Sequence, residues 1–377
     1  MFERKFIPIS EPSIGEEEKA NVMEAVSSGW ISSKGPFISD FEDEFSNFIG
    51  AKHGVSTSNG TTALHLALSA LNVGKGDNVI APDFTFISPI NAILYNQAVP
   101  KLVDSTESNW NLDPKKIEEQ IDEKTKAIVV VHLYGHPADM NPIIKIAKEN
   151  DLKIIEDCAE AHGALYRGQK VGTFGDVSCF SFYGNKIMTT GEGGMCLTND
   201  QELAERMETL RDHGMKPSRR YWHDEIGYNY RMTNLQAAIG SAQVRKLGKL
   251  IEQRRKLASI YTDQLRDIDE ISLQPEESWA KSVFWLYSIL MNNKIKDLDR
   301  NVLSKRLLER GIDNRQFFYP AHVMPPYVEL GKSKKFPVAD KLSQMGLNLP
   351  SSARLGVEEI SYITDSIREI IRDAKCM

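Results

Sequence analysis

Phenylalanines at positions 37, 41, 45 and 48 recur at intervals of four, four and three, which puts four rings on one face of a helix and marks them as core packing. Leu64, Leu68 and Leu71 line one face of a second helix, entered through Ser56-Thr-Ser-Asn-Gly-Thr-Thr. Beyond it, short apolar runs alternate with helical periods. Residues 78–81, 100–103, 126–132 and 152–155 are strand-like, and helices are predicted from about Ser88, Pro114 and Pro142. Alternation at this spacing predicts parallel βαβ units. The expected fold class is α/β: a large, mostly parallel sheet with helices on both faces and its ligand at the carboxyl ends of the strands. Those ends carry residues 83–86, Asp104, Tyr134 and 156–160, followed by the strand 177–183 that leads to Lys186.

The flanks are less regular. Ser13 with Glu16 three residues later has the form of a capping box, opening a helix that should end near Gly29. The loop Trp30-Ile-Ser-Ser-Lys-Gly-Pro36 suits a plain turn or a substrate-facing loop that offers Trp30. After a strand at 195–198 and a helix through Leu210, residues 211–230 carry no period but many cations and aromatics, among them Lys216, Arg219, Arg220, Tyr221, Trp222 and His223. A long unpatterned loop in a compact domain is more often functional or intersubunit than idle. One helical pattern then runs from Asn234 to about Leu265. It is followed by a strand at 283–291, a helix at 299–310, an extended piece at 314–319 and a last helix at 357–375. The expected division is a large domain over 1–250 and a smaller α+β domain over 251–377. His322, among proline turns, is either a site residue reaching back to the crevice or a surface turn residue.

Composition narrows the classes. With 377 residues, 41% hydrophobic and 26% charged, the chain reads as an ordinary soluble globular protein. A net charge of −6 gives no electrostatic reason to expect nucleic acid or an anionic membrane as partner. Four cysteines without a Cys-x-x-Cys pair or zinc spacing point to reduced thiols, and no metal is expected. The amino terminus lacks the apolar core of a signal peptide, and no apolar run approaches a membrane span, so a cytoplasmic protein is expected.

Three local patterns carry chemistry. Lys186 follows an apolar strand and precedes a cluster of glycines at 191, 193 and 194. Such a place can expose an amine in a dry site, where desolvation frees its lone pair, although the same residues suit a solvated loop lysine. Asn59-Gly-Thr-Thr before a helix points free amides and hydroxyls at an anion, or simply caps the helix. It has neither the Gly-Lys-Ser/Thr ending of a triphosphate loop nor Gly-x-Gly-x-x-Gly. Asp157, directly after an apolar strand, can cap the next turn or pair with a protonated ring nitrogen. A phosphate cradle, a ring-nitrogen carboxylate and an amine, in this order, together match the demands of pyridoxal 5′-phosphate (PLP).

The segments Ser58-Asn-Gly-Thr-Thr-Ala-Leu64, Glu156-Asp-Cys-Ala-Glu-Ala-His-Gly163, Phe180-Ser-Phe-Tyr-Gly-Asn-Lys186 with Thr190-Gly-Glu-Gly-Gly194, and Gly227-Tyr-Asn-Tyr-Arg-Met-Thr-Asn234 resemble the DegT/DnrJ/EryC1/StrS family of sugar aminotransferases, most closely its perosamine synthase branch. The likeness runs from about Ile7 to the last helix. It implies the PLP-dependent transferase fold type I, the aspartate aminotransferase-like architecture, in a homodimer with shared active sites. It implies that Lys186 bonds to the cofactor aldehyde and then moves the proton, that Asp157 pairs with the pyridinium nitrogen, and that Phe86 stacks on the ring. Gly60, Thr61 and Ser181 match phosphate ligands of the same subunit, and Asn229 matches one lent by the partner. Glu160 stands near the cofactor hydroxyl, where many relatives have glutamine and the perosamine branch has glutamate.

The resemblance further implies L-glutamate as amino donor and a keto sugar as acceptor, foremost GDP-4-keto-6-deoxymannose, with Lys216, Arg219 or Arg220 meeting the nucleotide charge. An 8-oxo derivative of the octulosonate Kdo is the alternative acceptor. A related dehydratase branch has histidine in place of the lysine, and a non-catalytic regulator on the same fold would be expected to lose it. Lys186 therefore favours transamination.

Overall fold

The computed structural model describes residues 6–216, 218–292, 294–332 and 334–376; the first five residues, on which the signal-peptide expectation bears, lie outside it. The chain opens with α1 (Glu16–Ser28) and α2 (Pro36–Ile49). The capping box sits two residues later than expected: Glu18 Oε2 accepts the Gly15 N–H at 2.8 Å, and Gly15 is the cap. Glu18 is the buried carboxylate here, gripped by Gln243 Nε2 at 2.6 Å and by Lys246, whereas Glu16 pairs with surface Lys19. Tertiary contact therefore selects between two similar local motifs. Gly29 closes α1 in the left-handed region (φ 76°), as its position suggests.

Then follow β1 (His53–Thr57), α3 (Gly60–Ala70), β2 (Asn78–Pro82), α4 (Ser88–Tyr95), β3 (Val99–Val103), β4 (Thr125–Val131), α5 (Met140–Glu149), β5 (Lys153–Asp157), the short β6 (Leu165–Tyr166) and β7 (Gln169–Lys170), β8 (Val177–Ser181), β9 (Gly194–Thr198) and α6 (Gln201–Arg211). The helix expected from Pro114 is only two 3₁₀ turns, Pro114–Lys116 and Glu118–Gln120. Asp122 ends it: its carboxylate is held by Asn78 Nδ2 at 2.8 and 2.9 Å and by the Thr125 hydroxyl at 3.0 Å, which pulls the chain straight into β4.

Among the described residues the central sheet has seven strands in the order β1-β9-β8-β5-β4-β2-β3. Pairings from β8 through β3 are parallel, and only β9 runs against its neighbours. That reversal lets the chain leave β8, make the Lys186 loop, and return beside itself without a crossover helix. The periodic phenylalanines close one face: Phe45 meets Phe180 and Phe182 edge-on at 4.9 and 5.0 Å, and Phe41 meets Phe182 at 5.0 Å. Phe37, Phe41 and Phe45 are buried, and Phe48 is half-buried.

From α7 (Asn234–Leu265), a helix of 32 residues, the chain passes into β10 (Ile271–Leu273), β11 (Ala280–Lys281), β12 (Tyr287–Met291), α8 (Arg300–Glu309), β13 (Arg315–Gln316), α9 (Pro337–Met345), β14 (Gly346–Leu349) and α10 (Val357–Lys375). A four-stranded antiparallel sheet, β10-β12-β14-β13, forms there, and β11 joins β6 and β7. The strand expected over 283–291 starts only at Tyr287, because Phe284 takes a left-handed turn (φ 46°) and Trp285 is drawn toward the large sheet. β10, α9 and β14 were not anticipated.

Candidate active site

Lys186 stands in the loop between β8 and β9. The loop is closed by Phe182 N–H to Gly193 O at 2.8 Å and Thr190 N–H to Phe182 O at 2.9 Å. The glycine that opens β9 has a steric reason: a Cβ on Gly194 would lie 2.4 Å from Asn59 O, so the cap of α3 can press against this strand only where there is no side chain. The Lys186 amine is nearly enclosed. Nζ lies 3.8 Å from the centroid of the Trp285 indole and 4.0 Å from Glu160 Oε1. Burial holds its pKa below the usual lysine value, opposed by the Glu160 and Asp157 carboxylates and assisted by Arg315. Burial likewise pushes Glu160 up, against the pull of Lys186 and of the Tyr134 N–H, which donates to Glu160 Oε2 at 2.7 Å.

Asp157 ends β5. Register pairs it with Cys179 of β8, so Ser181 lies two residues further toward the same strand ends. Its Oδ1 accepts the Ala159 N–H at 3.0 Å, while Oδ2 accepts no hydrogen bond among the described residues. One oxygen thus caps the turn, which leaves the other available to a protonated ring nitrogen. Burial raises its pKa, and the Ala159 amide and Lys186 oppose that rise.

The anion cradle is the start of α3. Asn59 Oδ1 accepts the Thr62 N–H at 2.9 Å, leaving the amides of Gly60 and Thr61 without intrahelical acceptors. A Cβ on Gly60 would come within 2.7 Å of Ser181 Cβ, so the helix start and the end of β8 are in contact. Thr61 Oγ1 and Ser88 Oγ are 2.7 Å apart. These residues suit PLP: neutral donors for a phosphate, an open carboxylate oxygen for a ring N–H, and a desolvated amine for an aldehyde. Gly60, Thr61 and Ser181 would hold the phosphate, Asp157 the ring nitrogen, and Lys186 the aldehyde carbon.

A second buried cluster, His132, Glu156 and Cys158, brings its ligand-type atoms within 4.8 Å of one another. Its carboxylate is already saturated. Glu156 accepts the N–H groups of Gly172, Phe174 and Gly175 at 2.8, 2.7 and 2.8 Å. His132 Nδ1 accepts the Ala138 N–H at 3.0 Å, so its Nε2 carries the proton donated to Glu156 Oε2 at 3.0 Å. Burial pushes the Cys158 thiol up. This cluster anchors loops.

The other expected residues have the following surroundings. Phe86 is 54% exposed, its ring 5.8 Å from that of Phe318. Asn229 is exposed, and its Oδ1 accepts Arg231 Nη2 and Nε at 3.0 and 3.2 Å. Its neighbours Tyr228 and Tyr230 stack at 4.8 Å, and Tyr230 is bound to His65 Nδ1 at 2.8 Å, which turns Asn229 outward. Lys216 pairs with Asp224 at 3.3 Å, Arg219 lies over Trp222 and Arg220 over Tyr221. Lys216 and Arg220 line a cavity of about 420 Å³ with Lys34, Arg211 and Arg231, whose wall does not include Lys186. Trp30 is exposed, its carbonyl bound by Asn234 Nδ2 at 2.7 Å. His322 faces Asp83. Of the residues that shape the lysine's surroundings, Tyr134 stands at a strand end as expected, although nothing in the sequence marks its left-handed backbone (φ 50°), whereas Trp285 reads only as one apolar residue of a strand.

Comparison with known proteins agrees with this geometry. The DegT/DnrJ/EryC1/StrS aminotransferase family model matches residues 12–368. A GDP-perosamine synthase of Escherichia coli O157:H7 is 45% identical over 369 residues, covering 98% of this chain and 100% of that protein. Among solved structures, Helicobacter pylori PseC, an aminotransferase involved in the biosynthesis of pseudoaminic acid, superposes with a TM-score of 0.92 at 29% identity, covering 98% of this chain and 100% of that one. S. venezuelae DesV, solved in complex with a ketimine intermediate, superposes with a TM-score of 0.89 at 32% identity, covering 97% of this chain and 98% of that one. The chain belongs to the DegT/DnrJ/EryC1/StrS aminotransferase family and is a PLP-dependent sugar aminotransferase.

Proposed function

We propose that this enzyme transfers the amino group of L-glutamate to GDP-4-keto-6-deoxymannose, giving GDP-perosamine for a surface polysaccharide such as lipopolysaccharide. The observation that carries the acceptor is the 45% identity, along the full length of both chains, to a GDP-perosamine synthase. Glu160, the residue expected of the perosamine branch, lies 4.0 Å from the Lys186 amine and supports the same choice.

When bound, the cofactor carries the amino group between donor and acceptor and takes up the electron pair released at the donor carbon. The chain's own residues do the rest. Lys186 Nζ takes the proton from the donor Cα and later delivers one to the sugar carbon, a task suited to an amine whose pKa burial lowers. Asp157 Oδ2 keeps the ring nitrogen protonated. Gly60, Thr61 and Ser181 anchor the phosphate, and Phe86 covers the ring and excludes water. Asn229 completes the phosphate site of a second copy of the chain in a homodimer, which its outward orientation supports. Trp30, Lys216, Arg219, Arg220 and His322 belong to the proposal as sugar-nucleotide contacts, the loop cations with the dimer assembled.

The division near residue 250 is proposed too. One apolar core reaches Leu250 on α7 and a second takes up the helix from Leu257, with Trp285 and Phe317 packing back into the first. No helix among the described residues is long and apolar enough to cross a membrane. We place the enzyme in the cytoplasm, which its unpaired buried cysteines support.

The deciding experiment supplies glutamate with GDP-4-keto-6-deoxymannose or with the 8-oxo octulosonate in parallel and identifies the product by mass. An aminated sugar nucleotide supports the proposal; amination of the octulosonate alone overturns it.

A further inference from the structure

The indole of Trp285 presents its face to the reactive amine, and it is fixed from several directions. Its Nε1–H donates to the carbonyl of Asn185, the residue before Lys186, at 2.9 Å. Its own carbonyl accepts the buried Arg254 guanidinium, and the Tyr134 ring lies nearly parallel to it at 6.3 Å and 18°. Only 4% of the residue is exposed. The lysine and the indole therefore belong to one rigid unit, with Nζ 3.8 Å from the ring centroid.

We propose that Trp285 is a positioning residue for the free amine of Lys186, its indole face receiving the ammonium that Lys186 becomes when it takes the donor's Cα proton. The inference rests on the role given to Lys186 above. In that step the Cα–H bond breaks, its electron pair stays with the cofactor-linked donor, and the proton adds to the Nζ lone pair. The ammonium formed has little water to solvate it. Glu160 and Asp157 face it with negative charge, Arg315 of β13 faces it with positive charge, and His162 beside it is held neutral by burial. Glu160 cannot serve alone: its nearer oxygen is 4.0 Å away, beyond hydrogen-bond reach, and its other oxygen is taken by the Tyr134 N–H. An aromatic face within about 6 Å attracts a cation strongly when both are desolvated, and it exerts no comparable pull on the neutral amine. Trp285 thus favours the protonated lysine and opposes part of the lowering caused by burial.

The test compares Trp285→Phe, which keeps an aromatic face, with Trp285→Leu and Trp285→Met, which keep apolar bulk without one. Cofactor-free protein is trace-labelled with acetic anhydride across a pH series, and acetylation of the Lys186 peptide is read by mass spectrometry. The pH of half-maximal labelling should fall by about one unit in the Leu and Met variants and by less in Phe, a tenfold change in the amine's proton affinity. In the loaded enzyme, the half-reaction with glutamate should slow about tenfold in Leu and Met, with a larger isotope effect for Cα-deuterated glutamate, and recover most of its rate in Phe. Equal labelling curves for wild type and Leu, or Phe behaving like Leu and Met, would overturn the proposal. The labelling needs no cofactor, so it stands apart from the assignment of Lys186. Failure of borohydride to fix PLP on Lys186 of the wild type would sink that assignment and leave the labelling comparison intact.

Discussion

The carboxylate of Asp83 and the imidazole of His322 stand 2.7 Å apart, and the same carboxylate takes the His322 backbone N–H at 3.0 Å. Asp83 directly follows β2 and precedes Phe84 and Phe86, while His322 lies a few residues after β13, so the pair clasps the large sheet to the C-terminal segment. Asp340, 3.3 Å from His322 Nε2, and Phe336, stacked on the ring at 4.7 Å, complete its surroundings.

This clasp gives a pH signature. Burial, only partly offset by His322, raises Asp83 to about 6, above its unfolded value. A raised carboxyl contributes stability that is full below the unfolded pKa and lost as pH rises through the folded one. The stability of wild type relative to Asp83→Asn should therefore fall between pH 4 and 6, by on the order of 2–3 kcal/mol. Urea unfolding of both proteins across that range measures it, and a difference independent of pH would refute the assignment.

Lys186→Met should reduce turnover by at least about a thousandfold, because both proton transfers lose their carrier. Borohydride treatment should fix cofactor mass on the wild type at Lys186 and on no residue of the variant. The variant should still retain the pyridoxamine form, held by the phosphate cradle. Turnover near the wild-type rate would remove Lys186 from the mechanism.

Gly60→Ala places a methyl 2.7 Å from Ser181 Cβ, at the contact that forms the cradle. PLP affinity should fall at least about tenfold, equivalent to about 1.4 kcal/mol. The cofactor-free protein should lose some stability as well, because Ser181 Cβ is no flexible side-chain end and must shift, but the loss of PLP affinity should exceed it. Fluorescence titration of PLP beside melting of the cofactor-free protein separates the effects; parallel losses would mean a folding defect.

The role proposed for Asn229 can be tested by mixing inactive chains. If each site takes Lys186 from one copy and Asn229 from the other, a dimer of Lys186→Ala with Asn229→Ala contains one intact site and one doubly damaged site. Random reassociation of equal amounts should restore about a quarter of wild-type activity, since closed twofold dimers distribute statistically. Activity no greater than the mean of the two separate variants would place Asn229 outside a shared site.

Much of the site was legible because its parts are local. The amide cradle needs Asn59, Gly60 and Thr61 in succession before a helix, and the carboxylate proposed for the ring nitrogen needs only to follow an apolar strand. Lys186 is marked by the strand before it and the glycines after it. The surroundings that tune these groups were not legible. Trp285 meets Lys186 from 99 positions away, and Arg315 from further still; neither carries a local pattern that distinguishes it from strand residues. Similarly, Ser13 with Glu16 and Gly15 with Glu18 are comparable capping signals locally, and Gln243 and Lys246 of α7 decided between them.

The sequence by itself determined the α/β alternation, the long α7, the candidate cradle, carboxylate and lysine, and the family, because periodicity, caps and short motifs are properties of neighbouring residues. Only the tertiary structure decided that β9 returns antiparallel beside β8, that one oxygen of Asp157 caps a turn while the other stays open, that His322 clasps Asp83, and that Lys186 rests between Glu160 and an indole. Those outcomes depend on strand register, burial and contacts across long stretches of chain, where the free energy of a group is set by what folding brings against it.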